Sequence, residues 1–140
     1  MKTAAAAALV AMLLAGCSGG AAKALLDPME QARTAVKSEQ LAFELLDGHQ
    51  VTTSVAQVVL DDMTDELTSA EKSIHGASVA DAADEALRDT ALEAAREATS
   101  ASLASRDCLS SGSSCTEARA QLQTSADGVQ AVLDQLESSR

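Results

Sequence analysis

Apolar residues recur at spacings of three and four along most of this chain, and this periodicity constrains its fold more than any other feature. Such spacing places apolar side chains on one face of an α-helix, whereas a half-buried strand would need alternation at every second residue. The pattern runs in four segments from Pro28 to the C-terminus. Because Pro28 is the only proline, no later segment carries a proline break. The chain is therefore predicted to be all-α.

Interruptions of the periodicity and capping residues divide this pattern into four predicted helices. Asp27 and Pro28 form a start signal, in which a capping side chain precedes a proline at the first helical position. The other stop and cap signals are Gly48, Gly76, the pair Ser78 and Asp81, and the pair Ser114 and Glu117. The predicted helices span about 28–46, 50–75, 79–106 and 115–138.

Four amphipathic helices with short connections favour an antiparallel up-down four-helix bundle. A kinked, longer helical hairpin is the alternative, because the turn predicted at 47–50 contains few helix breakers. The core is predicted to be thin, since only 28 of the 140 residues are Leu, Ile, Val or Phe. The seam of the third helix is nearly all alanine and consists of Ala80, Ala83, Leu87, Ala91, Ala94, Ala98 and Ala101. Glu39 also interrupts the seam of the first helix. A thin core leaves open its completion by a partner or a second copy.

The first twenty residues have the layout of a secretory signal peptide. Lys2 supplies a positive charge, and residues 4–15 form an apolar run that is shorter than the about 20 residues needed to span a bilayer. The sequence Leu14-Ala15-Gly16-Cys17 follows directly. This boundary resembles the lipobox of bacterial lipoproteins, and the resemblance covers about the first eighteen residues. An ordinary signal peptide with an incidental cysteine is the alternative.

The lipobox resemblance implies cleavage before Cys17 and attachment of a diacylglycerol to its sulfur, with a further acyl chain on its amine in many bacteria. Two or three acyl chains give stable membrane attachment. The chain is then divided into a cleaved signal peptide at 1–16, a lipid-anchored tether at 17–26 and a helical domain at 27–140. Ser18 lacks the aspartate that retains many such proteins in the inner membrane. The implied location is the periplasmic face of the outer membrane, or the outer face of the cell membrane in a host with one membrane.

The two remaining cysteines, Cys108 and Cys115, form an even pair once Cys17 is assigned to lipid. They flank a Ser/Gly loop between the third and fourth predicted helices, and export across a membrane permits disulfide formation. Their spacing is not the CxxC of redox or metal sites. A structural disulfide is predicted, with free thiols or a redox pair as the alternative.

The sequence contains no recognisable constellation for catalysis, and we predict neither enzymatic activity nor a cofactor. His49 is predicted in a turn and His75 at a helix end, one turn after Glu71, but no HExxH or CxxC motif accompanies them. A metal site is therefore not predicted. The densest acidic cluster lacks the glycine of a calcium-binding loop and is predicted to be a solvated helix face. Its members are Asp61, Asp62, Asp65 and Glu66.

A net charge of -11 disfavours binding to nucleic acid. Together with the lipobox, it predicts a non-enzymatic envelope lipoprotein that acts through protein contacts. Inhibitor or immunity proteins directed at a basic toxin or lysozyme fit this size and charge, because complementary charge accelerates encounter. The alternative is a small-ligand or metal-ion binding bundle, with a pocket between helices lined by Phe43, Met63 and Leu67.

Overall fold

The structure, a computed structural model, describes residues 20–139. The predicted signal peptide and Cys17 lie outside these residues. The described part consists of four helices: α1 (Gly20–Asp47), α2 (Thr53–His75), α3 (Ala82–Ser111) and α4 (Thr116–Ser138). No residue between 20 and 139 is in a strand. The all-α prediction is confirmed.

Side-chain contacts between helices establish that neighbouring helices are antiparallel. Between α2 and α3 the paired residues are Glu71 with Thr99, Thr64 with Ser102, and Asp61 with Arg106. Between α1 and α4 they are Gln40 with Gln123, and Asp47 with Arg119. In both sets, the residue number falls along one helix as it rises along the other, so the paired helices run in opposite directions. This confirms the four-helix bundle, in which α1 also contacts α3 across the diagonal.

A tight turn separates α1 from α2, as the sequence predicted. The Gln50 amide donates to the Leu45 carbonyl at 2.8 Å, and His49 has a left-handed backbone with φ of 54°. The Thr52 hydroxyl then accepts from the Val55 amide at 3.3 Å and caps α2. This cap places the start of α2 at residue 53, three residues later than the prediction of 50.

The start of α1 lies eight residues before its predicted position. The helix begins at Gly20, and Pro28 is buried in its interior. The side chains buried in the added turns are Ala21, Ala22, Leu25 and Leu26. Burying each leucine contributes about 1.5–3 kcal/mol, which offsets the roughly 3 kcal/mol cost of an interior proline. The prediction of a flexible tether extending to residue 26 was therefore wrong for residues 20–26.

The ends of α3 also differ from the sequence prediction. Its N-cap is Asp81, whose carboxylate accepts from the Asp84 amide at 2.9 Å, while Asp84 accepts from the Ala80 amide at 3.2 Å. The capping pair is thus Asp81 with Asp84, so Ser78 is not the cap. The helix continues to Ser111, five residues beyond the predicted end, where Gly112 adopts a left-handed conformation with φ of 67°.

The predicted capping box for α4 is not formed. Cys115 occupies the N-cap position and makes no side-chain capping bond. The Ser114 hydroxyl instead lies 3.0 Å from that of Thr116. The start of α4 nevertheless lies within one residue of the prediction, since its apolar face packs against the other helices.

The core is formed by one face of each helix, and α3 contributes mainly small side chains. Ala91, Ala94, Ala98 and Ala101 are buried as predicted, whereas Ala80 and Ala83 at the start of the predicted seam are exposed. The buried face of α3 continues through Ser102, Ser105 and Cys108. The hydrophobic core draws on all four helices, so residues 20–139 form a single domain around one core.

Candidate functional site

A fully buried carboxylate, that of Glu39, lies in the centre of the bundle. Glu39 is three residues after Val36 and four before Phe43, so the helical repeat places it on the same inward face as these core residues. Its exposed fraction is 0%. The sequence pattern marked this position only as an interruption of the seam. The sequence analysis did not predict that this side chain is buried.

Glu39 belongs to a polar layer that crosses three helices. Ser102 of α3 is hydrogen bonded to Glu39 Oε1, and the Ser102 hydroxyl lies 2.7 Å from that of Thr64 on α2. The Thr64 hydroxyl also donates to the Leu60 carbonyl at 2.7 Å. The second carboxylate oxygen, Oε2, has no hydrogen-bond partner among the residues that the structure describes.

Counting protons in this layer indicates which form of Glu39 it accommodates. Three contacts link Glu39, Ser102, Thr64 and the Leu60 carbonyl, but the two hydroxyls supply only two protons. When Glu39 is ionised, one of the three contacts therefore lacks a proton. When Glu39 is protonated, it donates to Ser102, Ser102 to Thr64 and Thr64 to Leu60, so all three contacts are hydrogen bonds.

Burial of Glu39 also favours its protonated form. Removing the carboxylate from water raises the pKa of Glu39 from 4.5 to about 7, although the hydrogen bond from Ser102 and the charge of Arg106 act to lower it. The side chain thus changes charge near neutral pH while enclosed by the bundle. Because this carboxylate is completely buried, a substrate has no direct access to it. Its ionisation therefore acts on the stability of the bundle.

The disulfide predicted from the sequence is present. Cys108 lies in the last turn of α3 and Cys115 at the N-cap of α4, with their Cα atoms 5.4 Å apart. Closing a loop of this length contributes about 2–3 kcal/mol in the chain-entropy model. The bond therefore reinforces the junction of α3 and α4 in a protein whose core relies on small residues.

An arginine-centred contact joins α1 to α4 near the same end of the bundle. The Arg119 guanidinium lies 4.5 Å from the centroid of the Phe43 ring and donates two hydrogen bonds, of 2.6 and 2.8 Å, to Asp47. These bonds lower the pKa of Asp47 and raise that of Arg119. With Arg119 above the ring, Phe43 contributes to packing between helices.

The three residues predicted to line a pocket all contact the hydrophobic core, and Phe43 also borders a surface cavity together with Gln40 and Arg119. Phe43 and Leu67 are buried in the hydrophobic cluster, and Met63 is partly buried against it. The two histidines are exposed, and Glu71 accepts a hydrogen bond from Thr99. Within residues 20–139, no group of three or more His, Cys, Asp or Glu side chains is arranged to hold a metal ion.

The predicted acidic cluster lies on the surface of α2, and its four members differ in their partners. Asp61 forms an ion pair with Arg106 of α3, and Glu66 accepts from the Gln31 amide of α1. Asp62 and Asp65 form no ion pair with any residue in the described part of the chain. The middle of α2 therefore carries negative charge that no ion pair within the described residues compensates.

Comparison with known proteins gives no relative for this arrangement, since no family model, no curated protein and no solved structure matches the chain. Over residues 20–139, none of the helices is both long enough and apolar enough to cross a membrane.

Proposed function

We propose that this chain is a lipid-anchored, non-enzymatic lipoprotein of the cell envelope that acts through contacts with other proteins. The observation that carries the proposal is the sequence Leu14-Ala15-Gly16-Cys17, placed three residues before the start of α1. Acylation of Cys17 would attach the folded domain to a membrane almost directly, without a long linker.

This short separation limits how far the start of α1 would lie from the membrane. Three residues reach at most about 10 Å, so Gly20 would stay close to the lipid surface. In an antiparallel bundle, the first residues of α1 and α3 and the last residues of α2 and α4 lie at the same end. Since the 28 residues of α1 extend about 42 Å, the opposite end of an upright bundle would lie about that far from the membrane.

Two further features support an extracytoplasmic protein that stands away from the lipid. The disulfide between Cys108 and Cys115 is of a kind found mainly in oxidising compartments. The acidic surface is repelled by anionic lipid headgroups, so attraction to the membrane would come from the acyl chains alone.

The non-enzymatic part of the proposal is supported by the position of Glu39, the titratable group of residues 20–139 whose pKa is strongly shifted. Glu39 has its pKa raised to about 7, yet it is enclosed in the core, where it cannot contact a substrate. The surface is predominantly acidic, which favours rapid encounter with a basic protein. An inhibitor or immunity function towards a basic toxin or lysozyme is the form of activity that we propose.

Metabolic labelling with a fatty-acid analogue tests the anchor. In the producing bacterium, the wild-type chain should incorporate the label and sediment with membranes, whereas Cys17→Ala should do neither. The double variant Cys108→Ala, Cys115→Ala is the matched control, because it removes two cysteines that are already paired. Membrane retention of an unlabelled Cys17→Ala chain would refute the proposal.

Crosslinking in native membranes tests the protein-contact function. The wild-type chain should form a specific crosslinked product with a basic protein, and that protein should lose activity when the purified domain is added. A crosslinked protein whose activity is unaffected would contradict the inhibitor function.

A further inference from the structure

Three large apolar side chains are exposed on the adjacent helices α1 and α2 despite the thin core of the bundle. Leu41 of α1 and Val55 and Val58 of α2 have exposed fractions of 52%, 48% and 59%. The one other large apolar side chain of residues 20–139 with comparable exposure is Leu103 on α3, at 45%. A chain with few large apolar residues has thus left three of them outside its core. Clusters of this kind mark interaction surfaces more often than scattered single residues do.

The pairing of α1 with α2 brings these side chains to the same region. The hydrogen bond from Gln31 to Glu66 sets the register, so that ten residues further along α1 and ten residues back along α2 place Leu41 level with Ala56. Val55 and Val58 flank that level, and the partly buried Leu45 lies one turn beyond Leu41. All of them are within about two helical turns of the loop at 48–52. We call Leu41, Leu45, Val55 and Val58 the α1–α2 patch.

Negative charge adjoins the α1–α2 patch on α2. Asp62 is four residues after Val58, so it lies directly above it on the helix surface, and Asp65 follows one turn later. Both carboxylates are exposed and form no ion pair within the described residues. On α1, the exposed Lys37 and Glu44 lie about one turn to either side of Leu41, so the surface combines apolar contact area with a net negative charge.

The charge and position of the α1–α2 patch indicate which kind of partner fits it best. A second copy carries the same net negative charge at this surface, so it complements Asp62 and Asp65 less well than a basic partner does. A membrane is disfavoured by the same charges, and Leu41 lies 21 residues, or about 32 Å, along α1 from Gly20 at the proposed anchored end. A protein segment that presents apolar side chains beside Lys or Arg complements both features.

We propose that the α1–α2 patch, with Asp62 and Asp65 beside it, is the docking surface for a basic amphipathic segment of a protein partner. The inference rests on the proposed function, because it assigns the proposed protein contacts to this surface. The partner's apolar side chains pack on Leu41 and Val58, and its cationic side chains pair with the two aspartates. Apolar packing sets the lifetime of the complex and the charges raise its rate of formation.

Binding of a synthetic amphipathic helix of lysine and leucine to residues 18–140 tests this surface, with fluorescence anisotropy as the readout. The double variant Leu41→Ser, Val58→Ser should weaken binding about tenfold. Leu103→Ser is the matched control, since it removes an equally exposed leucine from α3, and it should leave the Kd unchanged. Helical circular dichroism verifies that each variant is folded. An equal loss of binding in the patch and control variants would overturn the assignment.

The charge component is tested with Asp62→Asn, Asp65→Asn, which should weaken binding several-fold and reduce its dependence on salt. The control Asp127→Asn, Asp134→Asn removes the same charge from α4, and a similar effect there would overturn the docking surface in favour of general attraction. Two other results would also overturn it: dimerisation that the Leu41→Ser, Val58→Ser variant abolishes, or patch-dependent binding to vesicles of anionic lipid. Fatty-acid labelling of Cys17 is measured separately, so failure of the anchor and failure of this surface are distinguishable.

Discussion

Replacing Glu39 by glutamine should stabilise the bundle above neutral pH and have little effect in acid. Glutamine has nearly the same shape as protonated glutamic acid, and its amide group can supply the proton that Ser102 needs in the polar layer. It cannot ionise, so the variant avoids placing a charge in the core. The substitution thus isolates the effect of ionisation from the effect of packing.

The size of this effect follows from the two pKa values of Glu39. In the unfolded chain its pKa is about 4.5, and in the bundle burial raises the pKa to about 7. Below pH 4.5 the side chain is protonated in both states, so the native state carries no penalty. As the pH rises from 4.5 to 7 the unfolded chain releases its proton first, and the free energy of unfolding falls. At 1.36 kcal/mol per pH unit, the full loss above pH 7 is about 3 kcal/mol.

Urea denaturation of residues 18–140, followed by helical circular dichroism, measures this loss. We expect Glu39→Gln to exceed the wild type by about 3 kcal/mol at pH 8 and to match it at pH 4. Comparing the two chains at each pH cancels the titration of the other carboxylates. Glu44→Gln on the same helix is the control, because Glu44 is exposed and its replacement should change stability by less than about 0.5 kcal/mol. A difference between Glu39→Gln and wild type that is the same at pH 4 and pH 8 would refute the reasoning.

Three further predictions concern the ends of the bundle. Leu25→Ala should lower the free energy of unfolding by about 2–5 kcal/mol in urea, because Leu25 is fully buried, and an unchanged midpoint would contradict the early start of α1. Reducing the Cys108 to Cys115 bond should cost about 2–3 kcal/mol, and thiol labelling should modify neither cysteine before reduction. Arg119→Met should raise the pKa of Asp47 towards its ordinary value of 3.8, since it removes the hydrogen bonds that lower it, as followed by NMR titration of the carboxyl carbon. An Asp47 pKa unaffected by this substitution would argue against the paired geometry.

Much of this architecture is encoded locally and could be predicted from the sequence. Helical periodicity requires no tertiary information, because the spacing of apolar residues directly gives the face that each helix buries. The turn at 47–50 follows from the stop signal at Gly48. The disulfide could also be predicted, since Cys108 and Cys115 flank a short connection between helices that must pack side by side.

Other features depend on packing between helices that are distant in sequence. Asp27 and Pro28 form a strong local start signal, yet α1 begins at Gly20 because burial of Leu25 and Leu26 outweighs the cost of an interior proline. Similarly, no local pattern could place Ser102 beside Glu39 and Thr64 beside Ser102, because these three residues come from three helices.

The sequence by itself determined the class of fold, the number of helices and the cysteine pairing, because each of these depends on interactions between residues close along the chain. Tertiary structure decided where α1 begins, which carboxylate is buried and which apolar side chains remain outside. These outcomes depend on the free energy of removing a group from water, and that quantity is fixed only once the neighbouring helices are in place.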